Sequence, residues 1–245
     1  MPFWPDEFVD PATAGVTGKT RPGYGTTFRF DPNEAIVIYG YLPPEAAYFG
    51  QQTYLFTRKG TFDTTSITYQ FLSLIGGTAV FFHAVPENPE RIVAFSSLSD
   101  SNNNIVIEEQ SGGVWYQLRY FILTPNQNMD EQVRQVLKEL SVDDQDIFTE
   151  RIPSNVNIGL DADADDFLTG LRYSMPADGG GMGTPSGRWR HNPTMRVLRV
   201  RDISQDASVE RYPAWEDNSP EQRTAVSELH LRPDMVDLVY TVSQA

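Results

Sequence analysis

The sequence predicts a mainly β protein, an antiparallel β-sandwich of the jelly-roll type with three or four helices in the C-terminal half. Up to about residue 124, apolar residues occur in short runs rich in β-branched and aromatic side chains, which are typical of strands. Helical spacing of apolar residues begins only after Pro125. An apolar content of 40% in 245 residues is enough for a buried core.

Six runs predict strands, and turn-forming Gly and Pro residues separate them. They cover residues 35–39, 46–57, 78–82, 91–95, 105–107 and 114–124. In the last run, alternate residues fall on opposite faces, so we expect one core face and one amphipathic face. Residues 195–201 predict one further strand.

Helices are predicted from caps and from apolar spacing. Asn128 is the expected cap of the first helix, whose apolar face carries Val133, Val136, Leu137 and Leu140. A second helix is predicted over 160–171, with acidic residues in its first turn. Two further helical segments are indicated by Ser219-Pro220-Glu221 and by the apolar residues between Met235 and Val242.

The pattern predicts an extended arm over residues 1–25, rich in Pro and Gly, and a single β-sandwich domain with helical C-terminal additions over residues 26–245. An arm of this kind is compatible with a homo-oligomer in which it clasps a neighbour. Residues 178–187 contain five glycines and one proline, which predicts a mobile surface loop and a candidate lid.

Charge and composition exclude several classes of function. The net charge of −14 argues against binding nucleic acid through the general field of the protein, and no apolar stretch is long enough to span a bilayer. The absence of cysteine excludes disulfides and thiolate chemistry, and we expect no cofactor. It also favours, slightly, an extracytoplasmic or secreted protein over a cytoplasmic one, although the first residues do not resemble a leader.

The densest polar segment runs from Asp100 to Gly113 and includes Asn103 and Asn104. If residues 105–109 are extended, Glu108 and Glu109 point to opposite faces, so only one of them can enter a given site. A carboxylate surrounded by amides suits general acid–base chemistry or recognition of a hydroxyl-rich ligand. The alternative is an Asn-rich turn whose side chains satisfy the backbone.

Two functions from different classes follow from these residues. In the first, the protein binds a polar or anionic small molecule or a glycan, with aromatic residues stacking on it and amides contacting its hydroxyls. The residues assigned to this role are Asn103, Asn104, Trp115, Tyr116, Arg199 and Arg201, with Tyr48 and Tyr54 as further aromatic candidates. A structural or protein-interaction role is the remaining alternative.

The second function is that of a hydrolase or lyase. Glu108 or Asp100 would act as the acid–base, with His83 as its partner. Arg199 and Arg201 share one face of the predicted strand and would neutralise an anionic substrate. The alternative for both arginines is that they neutralise the protein's own carboxylates.

The acidic run 161–166 resembles the start of a calcium-binding EF-hand loop, but Asp166 stands where that loop needs Gly, and Arg172 stands where it needs Glu. We therefore interpret these acids as the first turn of a helix and predict no metal site. The alternative is that the carboxylates hold a calcium ion in another geometry. No G-x-S-x-G nucleophile elbow is present, and the glycine-rich loop lacks the Lys-Ser/Thr pair of a P-loop.

Three segments together resemble a group of uncharacterised bacterial proteins: residues 36–55, residues 100–112 and Gly159-Leu-Asp-Ala-Asp-Ala-Asp-Asp-Phe167. That group is distantly similar to exported proteins that pair a β-rich N-terminal domain with a jelly-roll domain, both of unknown function. The resemblance covers about residues 25–202. It implies a β-sandwich outside the cytoplasm and assigns no catalytic residues.

Overall fold

A computed structural model describes residues 27–60, 91–98, 102–204 and 207–214. The chain divides into two compact units, and the second consists of Arg29–Lys59 and Ala94–Pro213. The first unit, Met1–Phe28, Gly60–Val93 and Ala214–Ala245, lies almost entirely outside the described residues. The predicted N-terminal arm, the strand at 78–82 and both helical segments after residue 218 fall there.

The described residues form a β-rich fold with three α-helices. The eight strands are β1 (Glu34–Tyr41), β2 (Ala46–Lys59), β3 (Arg91–Ser97), β4 (Asn102–Asn103), β5 (Leu118–Thr124), β6 (Ile147–Arg151), β7 (Asp166–Pro176) and β8 (Arg196–Arg201). The helices are α1 (Asn104–Ser111), α2 (Gln127–Glu139) and α3 (Pro185–His191), and a short 3-10 helix covers Asp144–Asp146.

The first sheet has the strand order β6-β5-β1-β8. β1 pairs antiparallel with β5 on one side and with β8 on the other. β5 and β6 are parallel, and α2 lies in the connection between them. A parallel pair needs such a crossover, because a tight turn can join only antiparallel strands.

The second sheet is built around β2, the longest described strand. β7 runs antiparallel to it from the pair Ala46↔Pro176 to the pair Thr57↔Asp166. On its other side β2 pairs with β3 and with the two-residue strand β4. The coarse prediction of a β-rich protein with antiparallel-rich sheets is therefore confirmed.

Aromatic side chains fill the contact between the two sheets. The ring of Phe121 on β5 lies 6.4 Å from that of Phe49 on β2 and 5.7 Å from that of Phe148 on β6. All three side chains are buried. The opposite face of the first sheet packs against α2 in a cluster of Ala35, Val37, Ile122, Met129, Val133, Leu137 and Ile147. The first sheet is thus covered on both faces at its centre, which explains the continuous apolar run of β1.

The strand predicted at 105–107 is wrong, because these residues belong to helix α1. Both ends of the helix are capped. The side chain of Asn103 accepts hydrogen bonds from the backbone N–H groups of Ile105 and Val106, and Gly112, at φ 72°, donates its N–H to the carbonyl of Glu108. These local bonds outweigh the β propensity of Ile-Val-Ile.

The helix predicted over 160–171 is also wrong. Residues from Asp166 onward form β7, where Phe167 pairs with Leu55 and Leu171 with Gln51 along β2. Ten residues of β7 pair with the distant strand β2, and the apolar spacing of this segment carries no information about that partner. α1 lies in the N-terminal half of the chain, so the described helices are not confined to the C-terminal half.

The predicted helix is confirmed as α2, with Val133 and Leu137 buried but Val136 and Leu140 exposed. Its cap is Asn126 rather than Asn128. The Oδ1 atom of Asn126 accepts from the N–H groups of Asn128 and Glu210. Its Nδ2 donates to the carbonyl of Ser208. The fully buried Asn126 therefore joins the start of α2 to the segment 207–214.

We predict that Asn126→Ala lowers the free energy of unfolding by about 2–3 kcal/mol, because it removes a helix cap and leaves buried backbone groups without partners. Asn128→Ala is the matched control and should cost less than about 1 kcal/mol, since its side chain bonds Ser208 at an exposed site. Urea denaturation measures both. Equal losses in the two variants would contradict the assignment of Asn126 as the cap.

Candidate functional site

The residues predicted for acid–base catalysis are not brought together within the described part of the chain. Glu108 lies on α1, where its side chain is exposed to solvent. Asp100 and His83 lie outside the described residues. The proposed pair of a carboxylate and a histidine therefore stays a prediction, although the extended segment on which it placed Glu108 is a helix.

Asn103 and Asn104 have structural partners. Asn103 caps α1, as described above. The Oδ1 atom of Asn104 accepts from the backbone N–H of Phe49 at 3.3 Å. These contacts agree with the alternative given in the sequence analysis, in which Asn side chains satisfy backbone groups.

Trp115 and Tyr116 precede β5 and lie in a turn rather than on a strand face. Tyr116 has a φ of 61°, and its N–H donates to the carbonyl of Pro43. Its side chain is 58% exposed, whereas that of Trp115 is half-buried. The strand predicted over 114–124 therefore begins only at Leu118.

Arg199 and Arg201 do share a face of β8, as predicted, and the carboxylate they meet belongs to the chain itself. The guanidinium of Arg199 donates from both Nε and Nη2 to the carboxylate of Glu34, which is 1% exposed. Arg201 lies 3.5 Å from Asp31 and 4.0 Å from Glu34. Burial lowers the pKa of Arg199 to about 10, so it remains charged at neutral pH. The two arginines thus neutralise carboxylates of the protein itself, which was the alternative interpretation of their sequence.

The acidic run 161–166 is likewise engaged by bases and backbone groups. Arg29 pairs with Asp166 at 2.7 Å, Arg58 with Asp165 at 2.7 Å, and Lys59 with Asp163 at 2.7 Å. Asp161 accepts from the N–H groups of Asp163 and Ala164. Among the described residues no group of three or more acidic or histidine side chains is placed to hold a metal ion.

The glycine-rich loop also has defined contacts. The carboxylate of Asp178 accepts from the N–H groups of Gly180 and Ser186, and the Tyr173 hydroxyl lies 2.6 Å from the Ser186 hydroxyl. A side chain at Gly187 would meet the carbonyl oxygen of Gly181 at 2.0 Å. The loop is therefore packed against β7 and α3, and these contacts do not support the predicted lid.

A cleft of about 730 Å³ lies along the outer edge of β6, and we call it the β6 cleft. Most of the side chains that line it are polar. They are Asn102, Val106, Gln110, Gln127, Asp130, Glu131, Arg134, Phe148, Thr149, Arg151, Tyr212 and Pro213.

One wall of the β6 cleft is a charged network that holds α2 against β6. Arg134 donates to Asp130 at 3.1 Å and to the hydroxyl of Thr149 at 2.6 Å, and that hydroxyl lies 2.6 Å from Asp130. Arg134 also reaches Asp144 at 3.2 Å. These groups satisfy one another, and with one guanidinium against two carboxylates they carry a net negative charge.

Arg151 differs from Arg134. It lies at the end of β6, lines the β6 cleft and is exposed. Within the described residues no carboxylate comes within 4.0 Å of its guanidinium, and it makes no side-chain hydrogen bond there. A guanidinium in this state has all of its N–H donors available for a ligand.

Tyr212 and two amides complete the polar surface. Burial raises the pKa of Tyr212 well above its ordinary value, so the phenol is a hydrogen-bond donor throughout the physiological range. The side-chain amide of Gln110 donates hydrogen bonds to the carbonyls of Gln145 and Ile147. Its side-chain oxygen is therefore left as an acceptor. Gln127 donates to the carbonyl of Arg211, which leaves its oxygen as an acceptor as well.

Sequence reasoning singled out the part of the lining that lies in the polar segment 100–113, including Asn102 and Gln110, and missed the rest of this cleft. β6 is only five residues long, and its pattern Ile-Phe-Thr-Glu-Arg is a weak strand signal on its own. Tyr212 belongs to the segment 207–214. Two isolated β-bridges, Asn126↔Arg211 and Pro153↔Tyr212, join this segment to residues beside α2 and β6. The one available local signal was the alternation in β6, which places Thr149 and Arg151 on the same face.

Comparison with known proteins gives no relative for this chain: no family model, curated protein or solved structure matches it. The resemblance to exported bacterial proteins is therefore neither supported nor contradicted. None of the described helices is long and apolar enough to cross a membrane.

We predict that Arg199→Met lowers the free energy of unfolding by about 3 kcal/mol, because it leaves the buried carboxylate of Glu34 without its main partner. Arg201→Met is the matched control, and the loss there should stay below about 1 kcal/mol, since the Arg201 side chain is 42% exposed. Chemical denaturation of both variants tests the difference.

The double variant Glu34→Leu/Arg199→Met separates pairing from packing. It should recover most of the stability lost in Arg199→Met, because no buried charge remains. A double variant as unstable as the sum of the two single changes would contradict the assignment of a buried ion pair.

Proposed function

We propose that the protein binds a polar, anionic small molecule, such as a sugar acid or a short acidic glycan, in the β6 cleft. The observation that carries this proposal is the exposed Arg151 guanidinium, which lines the cleft and has no carboxylate partner among the described residues. A guanidinium recognises carboxylates through two parallel hydrogen bonds, which gives both charge and direction.

The remaining lining groups favour a ligand with hydroxyls. Amide oxygens of Gln110 and Gln127 can accept from hydroxyl groups, and the protonated Tyr212 phenol can donate to them. Phe148 and Tyr212 add apolar atoms to the lining, but with 2% and 8% of their surface exposed they offer little area for stacking on a sugar ring. The volume of about 730 Å³ is within the range of small-molecule sites.

Binding is favoured over catalysis by the state of the cleft's titratable groups. The raised pKa of Tyr212 makes that phenol a poor general base near neutral pH. Asp130 is held by Arg134 and Thr149, and no histidine lines the described cleft. The hydrolase or lyase alternative built on Glu108, Asp100 and His83 does not use the β6 cleft.

The finer expectations from the sequence remain proposals as well. These are jelly-roll connectivity, which would have to accommodate the parallel β5–β6 pair, a location outside the cytoplasm, and a homo-oligomer. The ligand proposal depends on none of them.

We predict that D-glucuronate or D-galacturonate stabilises the protein in a thermal-shift titration, whereas neutral D-glucose and D-galactose do so less. A ligand at 100 times its Kd adds about 2.7 kcal/mol to the free energy of unfolding. Arg151→Gln should weaken uronate binding by about tenfold or more, because a hydrogen bond between charged groups is lost.

Arg188→Gln is the matched control, since Arg188 is exposed on α3 and does not line the cleft. It should bind the uronate as the unaltered protein does. Equal weakening in both variants would show that the effect is one of net charge and not of the β6 cleft. A failure of every uronate to stabilise the protein would count against the proposed ligand class.

A further inference from the structure

β8 is the outer strand of the first sheet and leaves one edge unpaired among the described strands. Its register against β1 continues into Asp202, whose N–H donates to the carbonyl of Asn33. In an antiparallel pair, alternate residues bond to the partner strand. The N–H and C=O groups of Val197, Arg199 and Arg201 therefore point away from β1, toward the open edge.

The side chains along this edge are unusually apolar for a solvent-exposed strand. Val197 is 65% exposed, Leu198 is 50% exposed and Val200 is 37% exposed. An exposed edge with apolar side chains is a template for pairing with another strand, and natural proteins usually blunt or cover such edges. Neither a bulge nor a proline interrupts β8.

The charge of β8 narrows the choice of partner. The strand carries Arg196, Arg199 and Arg201 and contains no acidic residue. Arg199 is neutralised by Glu34, and Arg201 lies near Asp31. Within the described part of the chain, the side chain of Arg196 donates only to the carbonyl of Met195. A second copy of β8 would add further arginines to the same ribbon, whereas a strand with acidic residues would form favourable cross-strand pairs.

We propose that the open edge of β8 is a docking site for an extended segment of a partner protein that carries acidic residues and, between them, apolar ones. The segment adds as a strand through the outward N–H and C=O groups of Val197, Arg199 and Arg201. Its apolar side chains cover Val197, Leu198 and Val200, and its acidic side chains meet Arg196 and Arg201. This is the β-augmentation mode of peptide recognition.

The probe is a fluorescein-labelled peptide, Glu-Val-Thr-Leu-Val-Glu, whose two acids lie opposite Arg201 and Arg196 in an antiparallel alignment. Fluorescence anisotropy measures its Kd against the full chain, and Lys-Val-Thr-Leu-Val-Lys is the matched control peptide. The acidic peptide should bind at least about tenfold more tightly than the lysine peptide, because opposite-charge pairs replace like-charge ones.

Two variants test the two components of the site. Val197→Pro removes one outward N–H donor at a position where an edge strand tolerates proline, and it should weaken the acidic peptide by about fivefold. Val197→Thr keeps that N–H and is its control. Arg196→Glu should abolish the preference for the acidic peptide, because each peptide then makes one opposite-charge pair and one like-charge pair. The same charge change in Arg188→Glu, on α3, should leave the preference in place. Circular dichroism confirms that each variant is folded.

Three results would overturn the proposal. They are equal affinity for the two peptides, binding to Val197→Pro that is as tight as binding to Val197→Thr, and no saturable binding of the acidic peptide. Sedimentation of the full chain tests whether a second copy of the chain occupies the edge instead. A dimer that dissociates in Val197→Pro would assign the edge to that second copy and not to an acidic partner.

Discussion

The buried carboxylate of Glu150 on β6 holds the two sheets together, and the position of the β6 cleft depends on it. Its oxygens accept from the side-chain amide of Gln51 at 2.6 Å, and from both the N–H and the hydroxyl of Thr53. Gln51 in turn accepts from the side-chain amide of Asn102 at 3.0 Å. A buried carboxylate without such donors would be strongly destabilising. The network therefore fixes β6 against β2 and places Asn102 at the margin of the cleft.

The first sheet has two outer strands, β6 and β8, and their edges differ in how far neighbouring elements cover them. β6 alternates its side chains, so Phe148 and Glu150 face the second sheet while Thr149 and Arg151 face the side of α2. Its edge is thereby bordered by elements from both faces, which leaves a concave, polar space. β8 has no such covering elements among the described residues, and its side chains remain exposed on both faces. One outer strand of this sheet thus borders a concave polar cleft, and the other is exposed to solvent.

The elements that were predicted from the sequence are those whose signal is local and repeated. β1, β2 and α2 carry apolar residues that their packing then uses, whereas the apolar residues of the predicted strand β8 stay exposed. α1 was missed because caps at Asn103 and Gly112 decide a segment whose composition favours a strand. β7 was missed because its partner β2 lies more than a hundred residues earlier. The β6 cleft was missed for a related reason: Arg134, Arg151 and Tyr212 come from three separate segments, and only the tertiary fold brings them together.

Because the chain has an excess of acidic residues, the lack of a described carboxylate partner for Arg151 needs an explanation. With 33 acidic and 19 basic side chains, carboxylates are in excess, so an arginine without a carboxylate partner is not explained by a shortage of them. Arg29, Arg58, Arg119, Arg134 and Arg199 each pair with an aspartate or glutamate of the chain. In such a protein the field repels anions at long range, so an anion can be selected only by a guanidinium that it contacts directly. In the proposed function, an anionic ligand is therefore recognised by direct contact with Arg151, which lines a concave site with acceptors and donors around it.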